Sequence, residues 1–323
     1  MKRRRFLAGL AAIAMAQPAA AQQRMRRVAV VGIGDPTRRP FTALVEGLQE
    51  LGYVEGRNLE LMRPVATDDA DGMARMRLAT GAVARKAEVI FAWGSTAANA
   101  VKKVTTAIPV VVQTGNDPVE AGLVRNLSRP EGNVTGIASG SVYLIEKRME
   151  VLKEVVPGMR KLGVISDPAA GSREQARRYL TQAAKRLGLA VHVVEVPDLT
   201  RLREASASLA AAKADALFPM PSNRFLEYRN EMVQLAAILQ LPAVYYAPAF
   251  VRAGGLLSYS VDTDAMFHRL AFFIDRLLKG AKVAEVPFEQ PTKFVLALNM
   301  RTAKLQGVAI PPGLLVRVDE VIQ

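Results

Sequence analysis

Two short loops carry residue types that recognise a charged small molecule. Gly94-Ser95-Thr96-Ala97-Ala98 follows an apolar run and opens a helical stretch. The first turn of a helix leaves backbone N–H groups without partners at the positive end of its dipole, which suits a carboxylate. The Ser95 and Thr96 hydroxyls add hydrogen bonds, and Gly94 and Ala97 are small enough to let a ligand approach. Either hydroxyl would serve equally as a plain helix cap. Trp93, the sole tryptophan, abuts this loop and offers a face to an aromatic ligand or to the core. Asn116-Asp117-Pro118 ends the next apolar run. Asp117 is a candidate partner for an ammonium, because a paired charge is tolerated in a closed cleft. As a cap, with Pro118 at the first helical position, it would be structural instead. An anion site beside a cation site suits a zwitterion.

Further polar loops follow other apolar runs. They hold Gly34 and Asp35, Ser166 and Asp167, Ser222 and Asn223, and Tyr246, whose ring would give an apolar wall with a polar tip. Residues of these types also serve as ordinary turn and cap residues.

Signs of catalysis are weak. Gly32-x-Gly34 lacks the third glycine of a dinucleotide fingerprint, and no phosphate-binding loop with Gly-Lys-Ser/Thr appears. No Gly-x-Ser-x-Gly elbow is present. Without cysteine there is no disulfide, thiol chemistry or thiolate metal site. The two histidines, His192 and His268, fall on a strand-like run and an amphipathic helix and read as packing or surface residues. No metal, cofactor or catalytic residue is expected.

The elements that must position these loops alternate. Apolar runs at 28–31, 58–62, 89–92 and 109–112 are separated by helical patterns at 41–51, 70–86 and from 95 through 101, with another short helix after Pro118. The pattern restarts with strands at 162–165, 190–194, 216–218, 243–245 and 256–258, and helices at 172–187, 199–212, from 222 to 239 and 262–280. The segment 132–157 reads as the join. Near-continuous apolar strands between helices predict parallel sheets covered on both faces, so the fold class is α/β with two similar units in series. Ligands of such sheets sit beyond the carboxyl ends of the strands, where every loop named above falls.

Composition narrows the setting. Half of the 323 residues are hydrophobic, ample for two cores. Lys2-Arg3-Arg4-Arg5, the uncharged run from Phe6 to Ala16 and Ala19-x-Ala21 form an export leader, with cleavage expected before Gln22. Arg3-Arg4-x-Phe6-Leu7 also fits the twin-arginine variant. The apolar run is too short to span a bilayer. An exported protein meets no ATP pool, which disfavours nucleotide-dependent chemistry. The net charge is +13, of which four positive charges lie in the leader. The remaining basic residues are interleaved with acidic ones, so a solvated surface is expected and not nucleic-acid binding.

Several motifs together resemble a known family. They are the stretch from Gly47 to Asn58 (GLQELGYVEGRN), the 94–98 loop, Asp117-Pro118 through Val124, and the stretch from Arg129 to Gly136 (RPEGNVTG). Later come the stretch from Ala253 to Tyr259 (AGGLLSY), Leu278 to Ala281, Pro287 to Phe294, Asn299 and Ile310-Pro-Pro. In this order, over nearly the whole mature chain, they resemble the periplasmic substrate-binding proteins of ABC importers of the tryptophan/tyrosine type. The resemblance implies a type 1 periplasmic-binding-protein fold, two doubly wound lobes around a central cleft. Lobe one would comprise 26–137 with 263–285, and lobe two 138–262 with 286–323. It implies a carboxylate held at Gly94 to Thr96 and an amino group near Asp117. The expected partners are a small, amino-acid-like or aromatic carboxylate ligand and a membrane permease; the protein itself is expected to be a periplasmic monomer. Ser260 departs from the pattern, since many relatives carry Gly after the Ser-Tyr pair. A ligand sensor feeding a membrane receptor is the alternative reading, and a periplasmic α/β enzyme a weaker one.

Overall fold

The computed structural model describes residues 24–32, 39–63, 73–170 and 173–323. The leader, and the loop carrying Gly34 and Asp35, lie outside the described residues.

The first lobe is one parallel sheet. Its strands are β1 (Arg26–Val31), β2 (Leu59–Met62), β3 (Val89–Trp93), β4 (Val110–Thr114) and β5 (Val134–Ala138), in the order β2-β1-β3-β4-β5. Both faces are covered, which is why the strands read as almost unbroken apolar runs: Val89, Ile90, Phe91 and Ala92 are all fully buried. Helices α1 (Arg39–Glu50), α2 (Met73–Ala84) and α3 (Ser95–Val104) follow β1, β2 and β3. Phe41, Leu44 and Leu48 fall on one face of α1, at helical spacing, and bury against Val28, Leu59 and Phe91. Alanines of α2 and α3 (Ala79, Ala82, Ala97 and Ala98) pack closely on the opposite face.

The second lobe starts with α4 (Leu144–Val155), β6 (Lys161–Ser166), α5 (Arg173–Leu187), β7 (Ala190–Glu195), α6 (Leu202–Ala211) and β8 (Ala216–Pro219). It continues through α7 (Asn223–Glu227), α8 (Arg229–Ile238), β9 (Val244–Tyr245), α9 (Pro248–Arg252) and β10 (Leu257–Val261). After α10 (Thr263–Leu278) come β11 (Phe294–Asn299), α11 (Met300–Leu305), α12 (Pro312–Leu315) and β12 (Glu320–Ile322). Sheet β7-β6-β8 joins sheet β9-β10-β11-β12 through a parallel bridge between Leu217 and Ala243. All pairings are parallel except β10 with β11.

Helix α10 leaves the second lobe and packs on α1. Asp262 caps its start by accepting the Ala265 N–H at 3.0 Å. Its face of Phe267, Leu270, Ala271 and Ile274 completes the cluster around Phe41 and Leu48. Each of the larger side chains, Phe267, Leu270 and Ile274, stabilises the lobe by about 1.5–3 kcal/mol. Buried Asp275 on this helix accepts from the Tyr53 hydroxyl at 3.0 Å. The chain then runs along the edge of the first sheet, where Ile137 bridges to Glu289. It therefore passes between the lobes three times among the described residues: after β5, after β10 and after Glu289.

Some expectations change. The stretch after Pro118 is a set of turns, not a helix, and it folds Leu123 and Val124 back into the core. The join at 132–157 holds β5 and α4. Glycine in the middle of β5 hid it: Gly136 has φ +152°, and a Cβ there would lie 1.9 Å from the Val112 carbonyl oxygen. The helix expected up to Leu239 is two helices, interrupted at Tyr228. Val286 and Phe288 bury in first-lobe clusters.

Candidate ligand cleft

Both sheets end at one cavity of about 890 Å³ between the lobes. That lies within the roughly 300–1,000 Å³ of small-molecule sites. Trp93, Gly94, Ser95, Thr96 and Asn116 reach it from the carboxyl ends of β3 and β4. Asp167, Ser222 and Tyr246 reach it from the second lobe. Ser139, Ser141, Arg148 and Ser260 line it at the crossings.

Gly94, with φ +97°, sits at the N-cap of α3 and brings no side-chain acceptor to the first-turn amides. Among the described residues no side chain caps those amides. Ser95 Oγ accepts from Asn116 Nδ2 at 3.0 Å, which ties the two first-lobe loops together. Trp93 packs edge-on against Phe267, with ring centroids 5.2 Å apart, so one aromatic wall spans β3 and α10.

In the second lobe, Asp167 is nearly buried. It accepts from the Ser222 hydroxyl at 2.6 Å and from the Ala169 N–H at 2.9 Å, and Arg224 lies at 3.7 Å. The Tyr246 hydroxyl donates to the Ser222 carbonyl oxygen at 2.6 Å. Ser222 also caps α7, and Asn223 is that helix's first residue.

Ser166 and Asp117, both expected in the site, lie outside the cavity lining. Ser166 is buried at the end of β6. Asp117 spends its carboxylate elsewhere: one oxygen accepts the N–H groups of Val119 and Glu120 at 2.7 and 3.0 Å, the other accepts the Tyr143 hydroxyl. Burial pushes this carboxyl up, but the hydrogen bonds from Tyr143, Glu120 and Val119 outweigh it and hold it below the usual carboxylate range. Burial and the same contact push the Tyr143 phenol up.

Arg148 falls within the segment 132–157 that reads in the sequence as the join. It is 1% exposed and lies on the apolar side of α4, among buried Ile145, Met149 and Leu152. The guanidinium donates through Nε to the Tyr259 carbonyl oxygen at 2.7 Å and through Nη1 to the Ser141 carbonyl oxygen at 2.8 Å. It thus ties together the first and second crossings. Among the described residues no carboxylate pairs with it. The sequence signal was an arginine in register with the apolar stripe of a helix. His192 contacts Ser208 at 2.9 Å and His268 contacts Glu50 at 2.9 Å, both away from the cavity lining. Among the described residues no group of His, Asp or Glu is placed to hold a metal.

Residues 28–322 match the family described as ABC transporter substrate binding protein. The chain belongs to that family. It is 25% identical over 261 residues to a tyrosine-binding protein of Clostridioides difficile (strain R20291), covering 80% of this chain and 74% of that one. A solved conserved domain protein of Vibrio cholerae O1 biovar El Tor superposes with a TM-score of 0.83 at 23% identity, covering 93% of this chain and 99% of that one. A Streptococcus pneumoniae ABC domain in complex with L-Trp superposes with a TM-score of 0.80 at 22% identity, covering 92% and 100%. The two α/β lobes thus have a periplasmic-binding-protein-like fold.

Proposed function

We propose that the protein is the exported, non-catalytic solute receptor of an ABC importer. It closes its lobes on a small amino-acid-like or aromatic carboxylate ligand and delivers it to a membrane permease. The observation that carries this reading is the interlobe cavity, where polar groups from both lobes converge beside the Trp93–Phe267 wall. The relatives named for tyrosine and L-Trp agree with an aromatic ligand. Ser95, Thr96 and the amides opening α3 hold ligand oxygens, and Asn116 braces Ser95. Asp167 replaces Asp117 as the carboxylate offered to a ligand ammonium. Ser222 and Tyr246 hold that carboxylate's surroundings in place.

The lobes are 26–138 with 263–289 and 139–262 with 290–323, hinged at the three crossings. No described helix is long and apolar enough to cross a membrane, and the leader at 1–21 directs the mature chain to the periplasm. The test is calorimetric titration of protein starting at Gln22 with the twenty amino acids and with indole and phenyl carboxylates. Saturable binding of one of them is expected. No binding by any, together with turnover of a chemical substrate, overturns the reading. Mass spectrometry of the periplasmic fraction is expected to find Gln22 as the first residue.

A further inference from the structure

The solute-receptor reading leaves one buried charge unexplained. Arg148 is fully buried and has five N–H donors, and its two good hydrogen bonds go to carbonyl oxygens. Nη2 has only a 3.4 Å contact with Ser141 Oγ. Burial pushes the guanidinium down to about 9, so it is still charged at neutral pH. A buried charge without a counter-charge is costly. Asp167, the nearly buried carboxylate of the cavity, is already engaged by Ser222, Ala169 and Arg224.

A second, independent orphan lies beside it. Ser260 adjoins Tyr259, whose carbonyl oxygen Arg148 grips. It lines the same cavity and is 3% exposed, and among the described residues its hydroxyl has no hydrogen-bond partner. Buried hydroxyls are ordinarily paired, and an apolar residue would fill this strand position at less cost.

We infer that Arg148 and Ser260 form the position that takes the ligand's carboxylate, so the solute is an organic acid held by its charged end at the crossings. This rests on the solute-receptor reading. A carboxylate supplies both the missing counter-charge and the missing acceptor; a neutral amide supplies no charge. The start of α3 then takes a neutral acceptor of the ligand. Because Arg148 also holds Ser141 and Tyr259, ligand charge is read at the place where the lobes turn.

The test pairs acids with their amides: L-tryptophan, L-tyrosine and indole-3-propionate against the corresponding carboxamides, by calorimetry on the mature protein. Wild type is expected to prefer the acids. Ser260→Ala should reduce that preference roughly tenfold, the factor a hydrogen bond to a charged group carries, without lowering the melting temperature. Arg148→Met should reduce it by about a hundredfold; if this variant does not fold, Ser260→Ala decides. Amides bound as tightly as acids by wild type, or an acid preference intact in Ser260→Ala, overturns the inference and leaves the solute-receptor reading standing. Failure of wild type to bind any acid or amide removes both.

Discussion

The Asp117 N–H donates to Gln175 Oε1 at 3.1 Å, and the two residues belong to different lobes. Gln175 Nε2 returns a bond to Glu120 at 2.7 Å, and Glu120 also pairs with Arg178 of the same second-lobe helix. Tyr143, just after the first crossing, donates to Asp117. The loop after β4 is therefore a latch between lobes.

Replacing Gln175 by Ala removes both bonds of the side chain across the gap. Ligand affinity is expected to fall by about 1 kcal/mol, and small-angle scattering of the unliganded protein should show a larger radius of gyration. Scattering curves and affinities identical to wild type would show that the latch holds nothing.

The latch is acid-sensitive. Asp117 titrates below its unfolded value, so its contribution is fully present above about pH 4, the ordinary carboxylate range, and is lost as pH falls through its lower folded value. Asp117→Asn should therefore lower stability at neutral pH and flatten the acid limb, so that variant and parent converge as pH falls. Equilibrium unfolding in urea at stepped pH reads this, and parallel curves for variant and parent refute it.

Ser95→Ala and Thr96→Ala each remove one donor from the cleft. Each is expected to weaken ligand binding by about 1–1.5 kcal/mol without lowering the melting temperature. Wild-type affinity in both variants rejects the assignment of this loop.

Trp93 is the only tryptophan and lines the cavity. Its emission should change saturably on titration with the ligand, with the same midpoint as calorimetry. An emission spectrum indifferent to a bound ligand places the ligand elsewhere.

Phe267 joins core and cleft, packing on Phe91 as well as Trp93. Phe267→Ala is expected to cost about 3–5 kcal/mol of stability, visible as an early melting transition, and to shift Trp93 emission before any ligand is added. A loss below about 1 kcal/mol would falsify the packing role.

The alternation of strands and helices was legible because buried parallel strands leave apolar runs and surface helices leave stripes. So was the 94–96 loop, where small and hydroxyl residues follow an apolar strand. Asp117 stayed open between two roles because one residue type serves ammonium binding and loop capping alike; its contacts with Tyr143 and Gln175 are not recorded in local sequence. Arg148 escaped because β5 carries a glycine at its centre, so the region around both read as a connector. The interlobe pairings depend on residues up to 58 positions apart, a separation that local patterning does not record.

Helix α10 has one more consequence, for biogenesis. Glu50 and His268, which meet where α1 packs on α10, are 218 positions apart. Until that late helix is synthesised, the part of the Phe41, Leu44 and Leu48 cluster that Phe267, Leu270, Ala271 and Ile274 cover stays open. The half of the molecule made first is thus among the last to become sticky-free, and a ribosome stalled before residue 263 would release an aggregation-prone fragment. Such a chain needs either an escort that shields the early helix or an export route that waits for the whole polypeptide.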